Sequence, residues 1–361
     1  MQGNRYLLTR TECNVMRGIA IIGIFLHNYC HWLRGIVKEN EYQYFQNNVD
    51  GLERVLHNPD LYLPVHLLSF FGHYGVPVFL FLSAYGLVLK YESRPYLPKD
   101  NNWQSKSFWS DSVSFTRYHF LKLFKMMIVG FVAFTIIDYI TPGPHHYKVL
   151  DIVAQLGMFN NVLPNPDRII WPGPYWFFGL MLQLYIVYRL FLHHRHWAWT
   201  VAFMVVCTGI QLLCEPEGDA LNRWRYNFIG GMLPFGAGIL FARFGKDPQT
   251  KLWYWGTLIV AATLVYTQSN GYWNWFSVPF FVIMTCYGLV KVLPQFLLRP
   301  LEWMGGISAA LFICHPITRK IFIPISRQGD VYTGLLLYIV ASIALAWLFK
   351  ELLKRIPNPK Q

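Results

Sequence analysis

Charge is scarce in this sequence. Only 14% of its 361 residues are Asp, Glu, Lys or Arg, against about 25% in an ordinary soluble domain. That deficit excludes a soluble enzyme and a disordered chain. Acidic residues are the scarcer kind, 19 against 31 basic ones. Cysteine is limited to Cys13, Cys30, Cys207, Cys214, Cys286 and Cys314, with no Cys-x-x-Cys pair. A disulfide scaffold is therefore excluded, and the thiols read as unpaired structural residues. There is no internal repeat and no low-complexity tract. Residues 1–14 hold no apolar core followed by a small-residue cleavage site, so the first apolar run is expected to act as a signal anchor.

What the sequence has instead is apolar and aromatic residues. Hydrophobic residues make up 54% and aromatics 18%, and mean hydropathy is +0.29. Crossing about 30 Å of hydrocarbon takes roughly 20 mostly apolar residues as a helix. Ten such runs can be read: 15–33, 72–91, 119–140, 175–193, 196–214, 228–244, 252–268, 272–292, 303–322 and 333–353. They have helix length, not the short alternating pattern of a membrane barrel. The expected fold is all-α, a polytopic membrane protein of about ten helices in a single membrane-embedded domain, 1–361.

Ten spans put both termini on one side. With the N-terminus inside, 21 of the 31 Lys and Arg fall on the cytoplasmic side, so the positive-inside rule favours N-in and C-in. The net charge of +12 is spread over short loops. It reads as topology and contact with anionic membrane lipid, not as nucleic-acid binding. The longest connections, 34–71, 92–118 and 141–174, exceed the length of mere linkers. The first is acidic and aromatic; the third is rich in Pro and Gly.

Ionisable residues within spans are costly and mark function by default. Span one carries Arg17 near its start and His27 and His31 about 15 and 21 Å further on, with Asn28 between them. Histidine can serve as a general base near neutrality. A ten-step offset leaves Arg17 and His27 about 80° apart on a helix, while Asn28 and His31 lie within about 20° and 40° of Arg17. The base is thus His27 or His31. His27, Cys30 and His31 have spacing that could hold a metal, but no HExxH or neighbouring carboxylate accompanies them, and no metal is expected. In span two, Gly75, Ser83, Ala84 and Gly86 permit close helix packing, and the Ser83 hydroxyl could line a site. It lies outside any Gly-x-Ser-x-Gly elbow, so it is not read as a nucleophile. At the entry to span three, Arg117, His119, Lys122 and Lys125 suit either lipid headgroups or the phosphates of a donor.

These motifs resemble the acyltransferase-3 family of integral membrane acyltransferases. Arg17-Gly18-Ile19-Ala20 leads through an apolar run to His27. Gly75-Val76-Pro77-Val78-Phe79 leads to Leu82-Ser83-Ala84-Tyr85. The basic stretch Arg117 to Lys125 follows, then Trp176-Phe177 through Tyr185, Leu233-Pro234-Phe235 with Gly238, and Gly305, Gly306 and Ser308 before Cys314-His315-Pro316. The resemblance runs in order over nearly the whole chain.

The resemblance implies acyl transfer, often of acetyl from acetyl-CoA, to a carbohydrate hydroxyl of the cell surface or of an exported glycan. It implies His27 and Arg17 as catalytic residues. Arg117, Lys122 and Ser83 are expected on the acyl-CoA side, with acyl-CoA as a donor substrate and no permanently bound cofactor. His31, Asn28, Tyr85 and His315 are expected on the acceptor side; Asn28, Ser83 and Tyr85 are also the possible oxyanion donors. The expected place is the cytoplasmic membrane of a bacterium, alone or with a separate envelope-biosynthesis partner protein. The rivals are a secondary transporter and a glycan flippase without acyl transfer. Paired broken helices are not evident for a transporter, and intramembrane acids are nearly absent, Asp138 being the main one.

Overall fold

The computed structural model describes residues 7–93, 102–248 and 250–360. All regular structure among them is helical. The order begins α1 (Arg10–Cys30), α2 (Gln46–His57), α3 (Leu63–Phe71), a 3₁₀ turn at Gly72–Tyr74, and α4 (Gly75–Tyr91). It continues α5 (Lys106–Ile140), α6 (Val149–Leu156), α7 (Trp176–Val187), α8 (Trp197–Leu212), α9 (Asp219–Arg225) and α10 (Phe228–Phe244). The last are α11 (Lys251–Ser269), α12 (Tyr272–Trp275), α13 (Val278–Val292), α14 (Gln295–Arg327) and α15 (Val331–Arg355).

Each of the ten apolar runs falls on helix. Among the described residues, five stretches are long and apolar enough to cross a membrane: Leu63–Tyr91, Lys106–Ile140, Gly173–Leu192, Gln295–Arg327 and Val331–Arg355. A sixth arises if α9 and α10, bent by 42°, form one span. The chain is therefore a multi-pass integral membrane protein. The other runs fall short for visible reasons. α8 and α13 have 16 and 15 residues, below the roughly 20 a crossing needs. α1 carries Arg17, His27 and Asn28 and is shielded by neighbours, so it need not be apolar on every face. The connection 34–71 is not a loop throughout, since it holds α2 and α3.

α1 is the centre of the bundle. It packs along α14 and also against α3, α4 and α13. Backbone approach between α1 and α14 is close enough that a Cβ at Gly18 would strike the Leu301 carbonyl, and one at Gly305 the Asn14 carbonyl. This is the small-residue packing expected between membrane helices. The start of α1 is fixed by a capping box, in which the Thr9 hydroxyl accepts from Glu12 N–H and the Glu12 carboxylate accepts from Thr9 N–H. Glu12 also pairs with Lys291 of α13 at 2.7 Å. α10 lies between α4 and α8, α11 pairs with α13, and α15 covers α14.

Candidate active site

The C-terminal end of α1 brings His27, Asn28 and His31 to one cavity of about 110 Å³. His27 is 2% exposed. Its Nδ1 is 2.7 Å from the Ser69 carbonyl. A carbonyl only accepts, so Nδ1 carries the proton and Nε2 is left with the lone pair. That Nε2 lies 3.8 Å from carboxylate oxygens of both Glu39 and Glu41. His31 Nδ1 lies 3.0 Å from Glu39 Oε1, and the two imidazole rings are 4.6 Å apart.

The glutamates come from the connection after α1, and a dense set of bonds holds it. The Val37 carbonyl accepts from the Ser69 hydroxyl at 2.6 Å, and Val37 N–H donates to His66 Nδ1 at 3.0 Å. Asn48 donates to the Glu39 carbonyl at 2.8 Å, Trp275 to the Asn40 carbonyl at 2.9 Å, and Arg225 to the Glu41 carbonyl at 2.7 Å. The two carboxyls are thereby placed by main chain. Their ionisation is pushed apart. Burial opposes ionisation of Glu39, but His31 and His27 beside it hold its carboxyl well below the usual carboxylate range. Burial, then the neighbouring Glu39 charge, raises Glu41 well above that range. Ionisation is thus favoured at Glu39 and disfavoured at Glu41 on the two sides of His27, an arrangement suited to acid–base chemistry.

A third histidine completes the group. His73, in the 3₁₀ turn before α4, has its ring 5.5 Å from that of His27. It is buried, and neither ring nitrogen has a hydrogen-bond partner among the described residues. Glycine makes this approach possible. A Cβ at Gly72 would stand 2.5 Å from the Gly23 carbonyl and 2.7 Å from the His27 Cβ. Arg319 of α14 closes another side. Its guanidinium donates to the Asn28 carbonyl at 3.1 Å and lies 5.6 and 5.7 Å from the rings of Trp32 and Trp171. Trp176, Tyr42 and Tyr226 add aromatic walls, Tyr42 and Tyr226 being stacked at 3.7 Å. A wider vestibule of about 460 Å³ shares His31, Trp32, Glu39, Glu41, Tyr42 and Tyr226.

The remaining sequence-expected residues lie elsewhere. Arg17 is at the opposite end of α1, half-buried, donating to Asn14 at 3.0 Å, with its charge on the side of the bundle that Tyr185 feels. The Ser83 and Tyr185 hydroxyls are 3.0 Å apart. The His119 ring is 4.4 Å from that of Tyr185, and its Nε2 is 3.3 Å from the Tyr91 hydroxyl. Lys122 is exposed on α5 and acts on His119. Arg17, Ser83 and Lys122 thus gather about Tyr185 and His119, while Arg117 is exposed on α5 without a described contact to them. Tyr85 is apart from both groups, its hydroxyl spanning the N–H (3.1 Å) and carbonyl (3.3 Å) of Leu8. His315 is fully buried in α14 with Nδ1 3.1 Å from the Leu311 carbonyl and no partner for Nε2 among the described residues. Cys30 lies in the apolar core. Glu39, not Cys30, joins His27 and His31 in a group whose ligand atoms lie within 4.8 Å of one another. A cation held there and a carboxylate-assisted histidine base would use the same atoms, so the two roles are mutually exclusive.

Inside a helical membrane bundle, the buried His27 with Nδ1 on the Ser69 carbonyl and carboxyls on either side has the geometry that proton transfer requires. The sequence model of one protein family, described as an acyltransferase domain, matches residues 10–351. The chain belongs to that family, acyltransferase-3, and is a membrane acyltransferase. No curated relative and no solved structure matches the chain.

Proposed function

We propose that the protein transfers an acyl group, acetyl in the first instance, from acyl-CoA to a hydroxyl of a cell-surface or exported carbohydrate, with His27 as general base. The observation that carries this reading is the orientation of His27, whose Nδ1–H is spent on Ser69 while Nε2 faces the aromatic cavity between Glu39 and Glu41. The aromatic rings suit the apolar faces of a sugar, and the carboxyls and imidazoles suit its hydroxyls.

In the proposed reaction His27 Nε2 takes the proton of the acceptor hydroxyl. The oxygen attacks the thioester carbonyl carbon, forming the C–O bond, and the C–S bond then breaks. The proton passes from Nε2 to the departing sulfur, giving free CoA. Ionised Glu39 stabilises the imidazolium between the two steps, as an adjacent carboxylate does for a histidine base. The donor's phosphates are assigned to the basic end, with Arg17, Lys122 and Arg117, and its arm passes Ser83 toward His27. The site would lie on the outer side of a bacterial cytoplasmic membrane, with both termini inside. A partner protein of envelope biosynthesis would supply or receive the carbohydrate.

A second reading makes His31 the base, favoured by the absence of any partner for its Nε2 among the described residues. The deciding experiment is acetyl-CoA turnover by the purified protein in detergent, wild type beside His27→Gln, His31→Gln and Arg17→Ala. CoA release that vanishes in His27→Gln and survives in His31→Gln supports the first reading; the converse assigns the base to His31. Absence of any acyl-CoA turnover or binding in the wild type overturns the donor.

A further inference from the structure

Apart from the histidine cavity, a groove of about 840 Å³ lies between α7, α9 and α10, walled by Ile186, Val187, Phe228 and Ile229. One end differs from the rest: Arg223 and Trp224, both exposed, stand at its rim with Asp219. Arg223 has no ion-pair partner among the described residues, and its side chain is not spent on any described hydrogen bond. An apolar trough ending in an indole and a guanidinium that forms no ion pair among the described residues fits a molecule with a long apolar tail and an anionic head, since Trp and Arg suit the interfacial depth where such heads lie.

The groove is joined to the site through α9. This short helix is a shared wall. Asn222, with Tyr226 just beyond its last residue, lines the vestibule beside Glu39 and Glu41, while Arg223 and Asn227 line the groove. The head of a molecule lying in the groove therefore sits one helix width from the vestibule. We infer that the groove holds the lipid anchor of the acceptor, so that the carbohydrate is acylated while attached through phosphate to a long isoprenoid-type tail. This rests on the acyltransferase reading for the word acceptor, but the groove's occupancy can be measured without any turnover.

The probe is a farnesyl phosphate carrying a photoactivatable diazirine in its tail, applied to the full chain in phosphatidylcholine nanodiscs. Labelling is expected in the peptides holding 183–187 and 219–229. Unlabelled farnesyl phosphate should compete strongly. Phosphatidylglycerol, a phosphate-bearing bulk lipid, should not compete at equal concentration. Arg223→Gln should weaken competition roughly tenfold, as expected for loss of a charge-assisted hydrogen bond. Ile186→Trp, which fills the trough, should abolish labelling while leaving acetyl-CoA binding intact. Equal competition by phosphatidylglycerol, or labelling spread over the outer helices, would mean bulk lipid only and would overturn the proposal. Labelling as expected with no acyl-CoA binding would leave the lipid site standing and remove the acyltransferase donor.

Discussion

Ser69 holds His27 and the glutamate-bearing connection at once. Its carbonyl lies 2.7 Å from His27 Nδ1, and its hydroxyl donates to the Val37 carbonyl at 2.6 Å. One residue of α3 thereby sets both the tautomer of the imidazole and the position of the segment that delivers Glu39.

His27→Gln keeps a side chain that can still donate to Ser69 but removes the base. Acyl transfer is expected to fall about 10²–10⁴-fold, the usual contribution of a general base. The amount of folded protein, read by size-exclusion chromatography in detergent, should be near wild type.

Glu41 ties stability to pH. Its carboxyl is raised by burial and by Glu39 above the ordinary value of 4.5, so the folded protein holds a proton that the unfolded chain releases. That contribution costs stability as pH rises from 4.5 toward the folded value. Glu41→Gln removes the effect. The variant's melting temperature is expected to exceed wild type by a margin that widens between pH 5 and pH 8. A margin that narrows over that range would show that Glu41 is ionised in the fold.

Glu39 has the opposite sign. It is held below its ordinary value of 4.5 by His31 and His27 against the cost of burial. Its stabilising effect is present above 4.5 and is lost as pH falls through the lower folded value. Glu39→Gln should lower the melting temperature at neutral pH. It should also reduce kcat more than KM, because the carboxylate acts chiefly on the imidazolium.

Gly72→Ala would push a Cβ against the Gly23 carbonyl and the His27 side chain. Overpacking of this kind costs about 1–3 kcal/mol. The expected result is lower thermal stability, together with loss of activity out of proportion to it, measured as kcat on the folded fraction at a temperature well below melting.

Arg17→Ala, Ser83→Ala and Lys122→Ala act at the far end of α1. If the donor binds there, each raises KM for acetyl-CoA and leaves the pH profile of kcat in place. A profile that shifts in Arg17→Ala would place its charge at the reacting end instead.

The helical bundle was legible in the sequence because lipid-facing and buried helices are both written as apolar runs; all ten runs lie on helices, α10 with the same limits, 228–244. The lengths were less legible. α14 continues to 327 and α5 starts at 106, since polar ends extend a helix beyond its apolar stretch without any hydropathy signal. His27, Asn28 and His31, which the fold brings to one cavity, stand out in the sequence because polar residues are rare within spans. Glu39, Glu41 and His73 were missed. The two glutamates sit in a connection where acids are ordinary, and only the fold-back secured by Ser69, Asn48 and Arg225 brings them to His27. His73 lies at the edge of an apolar run, where a histidine has no visible partner until Gly72 lets α1 approach. The pairing of Arg319 with Trp32 and Trp171 joins residues far apart in the chain and leaves no periodic trace.

Because Arg17 and His27 stand on one unbroken helix, α1 works as a ruler with a phase. Its ten steps fix a separation of about 15 Å, and each residue turns the face by about 100°. Adding one alanine between Ile21 and Ile24 would lengthen the span by only about 1.5 Å yet swing His27 away from Ser69 or Arg17 away from Tyr185. Length along this helix can be tolerated; angle cannot.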